Sequence, residues 1–311
     1  MIAATVPMGL FVFWSSVVGL FIGSFLNVAI HRLPLDNETV SKPRRSRCPS
    51  CKTQLSWREN IPLVSWLVQL GRCRHCSWRI PFRYPLVEAL TAGAALLALA
   101  SVMDGEALEY RDWALVLVRF IVLAGLLTAT FVDFDRFEIP DEVSIGGMVL
   151  APICSLLLPE LHEATWLSVA MSDGPGVDRF GALVGSLAGL AVGGGILWSI
   201  GWLGTRIYKQ EAMGFGDVKL LAAGGGFVGP GGALVALMVA AFVASIVGVF
   251  NMLRFFWLSR SRAARRGRRD PLGRSLAIAR IAARYLPFGP YLALGIGIAL
   301  LYWNDVQAWL P

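Results

Sequence analysis

The stretch MGLFVFWSSVVGLFIGSFLNVAI, Met8 to Ile30, carries no Asp, Glu, Lys or Arg. At about 1.5 Å per residue its length exceeds a hydrocarbon core of about 30 Å. Lipid offers no partner to backbone N–H and C=O groups, so such a run must be helical. It lacks the basic start and the small-residue cleavage site of a removable export signal. We read it as a retained first membrane helix.

Working outward, the same pattern repeats. The 311 residues are 56% hydrophobic and 16% charged, with 33 glycines, and the apolar residues come in long runs. The further candidate spans are Pro85–Met103, Trp113–Val132, Val143–Leu158, Phe180–Gly204, Val218–Gly229, Ala233–Trp257 and Leu286–Trp303. The expected fold is therefore an all-α polytopic membrane protein of eight transmembrane helices with a small loop domain. Residues 1–30 hold the first helix, 31–84 a four-cysteine loop and 85–311 the remaining spans, with a basic loop at 259–284. The run Val218–Gly229 covers only about 18 Å, so it starts earlier, thins the bilayer locally or re-enters beside other helices. The glycines around Gly185–Gly195 and Gly224–Gly226 permit close helix packing.

Basic residues concentrate in His31–Tyr84 and Ser259–Arg284, acidic ones in Asp104–Asp112 and Glu160–Asp178. A net charge of +7 first suggests nucleic acid. In a membrane protein, however, such clusters mark the cytoplasmic loops, and no nucleic-acid partner is expected. The second cluster adds affinity for anionic membrane lipid. This rule places the N-terminus outside, and the segments after the third and fifth spans inside.

The first inside loop contains Cys48-Pro49-Ser50-Cys51 and Cys73-Arg74-His75-Cys76. Each Cys-x-x-Cys places two thiolates on one tight turn, and two such turns complete a tetrahedron around Zn²⁺. Arg47, Lys52, Arg72 and Arg74 favour the thiolate form. Two disulfides or a redox pair are the rival readings, and a reducing compartment disfavours them. Four thiolates close the coordination sphere, so the zinc is expected to be structural. His75 reads as a solvent-facing loop residue, and Cys154 as a small buried hydrophobe.

Two acidic clusters border apolar runs: Asp133-Phe134-Asp135-Arg136-Phe137-Glu138-Ile139-Pro140-Asp141, and Gly214-Phe215-Gly216-Asp217-Val218-Lys219. Ionisable groups at a membrane edge are costly and invite a functional reading. Asp133 and Asp217 lie at the same membrane face and can meet in space. Two close carboxylates share a proton, so one activates water while the other polarises a peptide carbonyl. Asp141, after Pro140 and before an apolar run, reads as a helix start. Asp135, next to Arg136, fits either role. A proton-coupled transporter also carries such aspartates, and a scaffold docking an assembly ATPase through its zinc loop would not need them.

Five motifs stand in order along the chain. They are Gly23-Ser24-Phe25-Leu26-Asn27-Val28 with His31-Arg32-Leu33-Pro34, and the cysteine loop with Asn60-Ile61-Pro62, Ser65-Trp66 and Arg83-Tyr84-Pro85-Leu86-Val87-Glu88. Then come the two aspartate clusters, and last Pro287-Phe288-Gly289-Pro290-Tyr291-Leu292-Ala293-Leu294-Gly295. Together they resemble the type IV prepilin peptidases, bifunctional enzymes of the bacterial inner membrane. The resemblance implies that Asp133 pairs with Asp217 to cut a prepilin or pseudopilin after a glycine, at the cytoplasmic face. It also implies N-methylation of the new N-terminus with S-adenosylmethionine, an activity associated with the cysteine loop. Clients would be a type IV pilus or a type II secretion machinery. No glycine-rich strand-turn-helix of a soluble methyltransferase is present, so the donor site is not derivable, and Gly71, Asn60 and Glu59 stand out without an assignable role. Glu38, Glu59, Asp135 and Glu138 are candidates to attract a basic leader. The segments Pro159–Arg179 and Ser259–Arg284 depart from the family in length; the first reads as a surface insertion.

Overall fold

A computed structural model describes residues 8–34, 46–103, 108–163, 165–174, 176–210, 213–265 and 286–308. Glu38 and most of the basic segment, from residue 266 to 284, lie outside the described residues. The α-helices in chain order are α1 (Met8–Arg32), α2 (Val64–Val68), α3 (Arg83–Ala100), α4 (Tyr110–Arg136), α5 (Asp141–Leu157), α6 (Trp166–Ala170), α7 (Arg179–Tyr208), α8 (Phe215–Arg265) and α9 (Gly289–Ala308). Among the described residues there is no β-strand, only two isolated bridges in the cysteine loop. The protein is all-α, as its apolar runs demand.

Five helices, α1, α3, α4, α7 and α8, are long and apolar enough to cross a membrane, and Gly289–Trp303 of α9 is a shorter apolar helix. Helix α5 is 17 residues long. The two expected spans Val218–Gly229 and Ala233–Trp257 form the two helical halves of α8, separated at Gly229, which has φ 74° and ψ 177°. A Cβ on Gly225 would lie 3.2 Å from Cβ of Ala233, so the halves fold back on one another. Glycine tolerates this positive φ, and Pro230 withdraws an N–H from the ladder, so the pair ends one helical half and turns the chain into the next. The helix begins at Phe215, giving its first half an extra turn beyond the short run that the sequence suggested.

The packing inverts that of a soluble protein. Phe13, Trp14, Phe21, Met238, Phe242 and Phe250 face outward, while Ala98, Ala129, Ala151, Ala236 and Ala240 are fully buried. With no hydrophobic drive between helices in lipid, association relies on close backbone approach at small residues. A Cβ on Gly19 would lie 2.6 Å from Cα of Ala92, and one on Gly23 would lie 2.7 Å from Cα of Glu88, so this small-xxx-small pair seats α1 on α3. Gly189 of α7 and Gly225 of α8 touch backbone to backbone, and a Cβ on Gly193 would lie 2.5 Å from the Leu221 carbonyl. The first half of α8 thus runs through the centre of the bundle, and α8 packs on α5, α7 and α9.

The segment Pro159–Arg179 is more than a surface insertion. His162 and Ser168 are fully buried, and His162 shares a 2.9 Å hydrogen bond with Ser155 of α5. Thr165 sits over the Gly229 kink, and burial pushes His162 down to about 4, so it is neutral at physiological pH. The segment caps the bundle end opposite the cysteine loop.

A substitution at the α7–α8 contact tests this packing. Gly189→Ala forces backbone apart and should cost about 1–3 kcal/mol, read as a lower unfolding midpoint in detergent. Gly195→Ala, with open space around its Cβ, should leave the midpoint unchanged or raise it.

Candidate active site

Helix α4 ends at Arg136, and Phe137 closes it in the left-handed region, its N–H donating to the Asp133 carbonyl at 2.9 Å. Asp133 thus sits on the last turn, on the buried side, with 5% exposure. Its Oδ2 accepts the N–H of Gly289 at 2.9 Å, so the first residue of α9 holds this carboxylate in place. Asp217 lies on the first turn of α8, half-buried, with its N–H donating to the Gly214 carbonyl at 3.2 Å. Gly216 packs on Ile139, where a Cβ would come within 3.2 Å.

Both aspartates line one cavity of about 440 Å³, together with Leu33, Pro34, Glu138 and Glu142. The charge of Asp133 is among the influences felt at Asp217. The expected convergence of the two acidic side chains from separate helices is therefore present in the fold. Two ion pairs latch the helix ends around them. Asp135 pairs with Arg83 at the start of α3, and Lys219 pairs with Asp141 at the start of α5. Arg83 also lies over the Phe131 ring, and Arg136 donates to the Pro34 carbonyl at 3.2 Å. Asp141 opens α5 as its sequence context predicts. Asp135, next to Arg136 in the chain, finds its partner in Arg83 instead.

Of the described acids singled out to attract a basic leader, only Glu138 lines this cavity; Glu142 joins it, unnoticed in the sequence. Glu59 is held elsewhere, accepting from the Ser56 N–H and hydroxyl and facing His75 at 3.4 Å. Those hydrogen bonds from Ser56 keep its carboxyl below the usual range. Gly289 also escaped the sequence reading. Its place in an ordered motif was visible, but its role depends on α9 returning to α4, which no local pattern encodes.

The cysteine loop folds into two matching turns. Cys48 N–H donates to the Thr53 carbonyl and Lys52 N–H to the Cys48 carbonyl, each at 2.9 Å. Cys73 with Trp78, and Ser77 with Cys73, repeat that pattern at the same distances. Lys52 and Ser77 adopt φ 58° and 57° to close the turns. The four sulfurs lie within 4.8 Å of one another, with Cys48 Sγ 3.8 Å from Cys76 Sγ. Tetrahedral thiolates around a metal with bonds of about 2.3 Å stand about 3.8 Å apart, so the donor set fits a bound metal. Hydrogen bonds from Thr53 pull Cys51 down to about 6, and the His75 backbone lowers Cys73, whereas burial pushes Cys48 up to about 11.

A second cavity, of about 370 Å³, lies between α1, the cysteine loop and α3. Trp66, Trp78, Tyr84, Glu59, Asn60 and Glu88 are among its lining. Gly71 is not; its φ of 65° brings it against the Trp66 ring, which it helps to seat.

These features define a multi-pass helical membrane protein with two helix-borne aspartates over one polar cavity and a metal-competent cysteine domain beside it. Residues 17–102 match the family model described as the bacterial peptidase A24 N-terminal domain, and residues 120–249 match the type IV leader peptidase family. The chain belongs to the type IV leader peptidase family. It is 33% identical to the prepilin leader peptidase/N-methyltransferase of Aeromonas hydrophila, over 93% of this chain and 90% of that relative. It is also 33% identical to the type 4 prepilin-like proteins leader peptide-processing enzyme of Escherichia coli, over 93% of this chain and 92% of that relative. The protein of Myxococcus xanthus that shares the Aeromonas name is 36% identical over 78% of this chain and 64% of its own length. No solved structure gives a match.

The contact between α9 and Asp133 is directly testable. A Cβ on Gly289 would stand 2.6 Å from Asp133 Oδ2. Gly289→Ala should therefore displace the carboxylate and lower leader cleavage by about tenfold to a hundredfold, with membrane insertion unchanged. An unaltered cleavage rate in detergent would show that this contact does not hold the site.

Proposed function

We propose that this chain cuts the leader from a prepilin or pseudopilin at the cytoplasmic face of the bacterial inner membrane, and then N-methylates the shortened product. The observation that carries the reading is the single cavity shared by Asp133 and Asp217 on separate helices. A prepilin presents a basic leader ahead of an apolar helix, so its scissile bond lies at the membrane surface, where the apolar parts of α4 and α8 end. The lining holds Asp133, Glu138, Asp141, Glu142 and Asp217 against one lysine, Lys219, a balance that suits a basic leader.

The chemistry follows from the pair. One carboxylate is ionised and takes a proton from water as the water attacks the peptide carbonyl. The other is protonated and donates to the carbonyl oxygen; as the carbon–nitrogen bond then breaks, the proton taken from water passes to the leaving nitrogen and the carbonyl oxygen gives its proton back. Neither step needs a metal. Gly214 and Gly216 keep side-chain bulk away from Asp217, leaving room for an extended substrate.

The cysteines Cys48, Cys51, Cys73 and Cys76 would hold Zn²⁺ as a structural ion, tying the two halves of the loop that wall the second cavity. That cavity suits S-adenosylmethionine in size and in its aromatic and acidic lining. When bound, this cofactor supplies an electrophilic methyl group. Trp66 and Trp78 offer faces for a purine ring, and Glu59 and Asn60 offer polar contacts. Family membership favours this reading over a proton-coupled transporter or a scaffold docking an ATPase, and prepilin assembly machinery would be its client.

Two outcomes test the proposal. Asp217→Asn should lower cleavage of a prepilin by about a hundredfold or more, with the protein still inserted and metal still bound. Processing at the normal rate would refute the paired-carboxylate mechanism. Separately, the purified protein should carry one zinc per chain by elemental analysis, and Cys48→Ser should lose it. Metal binding should release protons and weaken as the pH falls, because each cysteine must give up its proton to hold the ion.

A further inference from the structure

Two acidic residues are buried inside the helical bundle, Asp133 and Glu88. Asp133 belongs to the cleavage cavity. Glu88 does not, and nothing so far gives it work. It lies on the second turn of α3, 9% exposed, and lines the cavity between α1, the cysteine loop and α3. Its Oε2 accepts the Leu63 N–H at 2.8 Å, and Ser24 of α1 lies beside it. It takes part in none of the ion pairs among the described residues. A buried carboxylate costs several kcal/mol to desolvate and is retained where it serves a partner.

The position of Glu88 identifies that partner. The Arg83–Asp135 ion pair fixes the ends of α3 and α4 side by side. Asp133 lies two residues, and Glu88 five residues, further into the bundle, so both stand within about two helical turns of that pair. A new N-terminus made beside Asp133 therefore lies within about one helical turn of the depth of Glu88. The two cavities adjoin across the end of α1, since His31 and Arg32 line one while Leu33 and Pro34 line the other.

We infer that Glu88 receives the new N-terminal ammonium of the cleaved product and acts as the base for its methylation. The inference rests on the methyl-transfer reading above. An α-ammonium has a pKa of about 7.7–8.0, so at neutral pH most of it has no free electron pair. Glu88 takes one ammonium proton and passes it to water. The amine nitrogen then gives its electron pair to the donor methyl carbon, and the carbon–sulfur bond breaks with both electrons left on sulfur. The product is a secondary ammonium, and one proton has been released. Asn27, whose Nδ2 donates to the Tyr84 carbonyl at 3.0 Å, and Ser24 form the α1 side of the same wall.

The test compares the wild-type protein with Glu88→Gln, which keeps an oxygen acceptor for the Leu63 N–H but cannot take a proton. Product masses are measured after incubation with a prepilin and S-adenosylmethionine. Wild type should give leader loss plus one methyl, and Glu88→Gln should give leader loss with methylation slowed about a hundredfold or more. Binding is read separately, with a fluorescent mature-pilin peptide bearing a free or an acetylated N-terminus. Wild type should prefer the free amine at least tenfold, and Glu88→Gln should lose that preference while still binding S-adenosylmethionine by calorimetry. Wild-type methylation with an equally active Glu88→Gln, or an undiminished amine preference, overturns the role of Glu88. Absence of methyl mass from wild type itself overturns the methyl-transfer reading instead. Should Glu88→Gln fail to insert, Glu88→Asp decides, because the shorter acid should keep the amine preference and methylate measurably; an Asp variant with neither property overturns the proposal.

Discussion

Lipid cannot solvate a carboxylate, and this constraint organises the molecule. The long spans are nearly free of charge, and the acids that matter gather where apolar helices end, within reach of protein donors and water. Asp133 is buried only because α9 returns to offer it the Gly289 N–H. Asp217 stays half-buried on the first turn of α8, where a chain entering the bundle meets water. The depth of each acid is set by where its helix stops.

Holding those helix ends in register falls to two kinds of contact. Small residues bring backbones together along the spans, as at Gly19 and Gly23 against α3 and at Gly189 against Gly225. Charged latches then fix the ends, Arg83 with Asp135 and Lys219 with Asp141. The latches are partly exposed and individually contribute little. Close packing does the larger share, because a helix that cannot approach its neighbour cannot bring its terminal turn to the right place.

Much of this was legible in the sequence. Apolar run length announced the helices, and an acid at the end of a run announced the two aspartates, because each signal is local and physically costly to fake. Four cysteines in two short turns announced a metal-competent cluster for the same reason. The pairing of Asp135 with Arg83, the hold of Gly289 on Asp133 and the burial of Glu88 were not legible. Each depends on two helices far apart in the chain meeting at a given height, which no periodicity encodes. The burial of the outer segment around His162 was not legible either, since its buried residues, His162, Thr165 and Ser168, are polar and form no apolar stripe. The break between the runs Val218–Gly229 and Ala233–Trp257 was legible too, because Gly229-Pro230 is a local signal and the helix is interrupted there.

The end of α1 separates the two cavities by no more than a single helical terminus, with His31 and Arg32 on one side and Leu33 and Pro34 on the other. The nitrogen destined for alkylation is an unreactive amide until hydrolysis frees it, so the order of events is imposed by covalent structure. On the proposed reading, that freed chain end faces a branch point: slip sideways into the bilayer with its apolar helix, or cross the terminus of α1. The fraction of unmodified product is then set by the competition of two rates, escape against crossing, and one short stretch of chain, from His31 to Pro34, borders both routes.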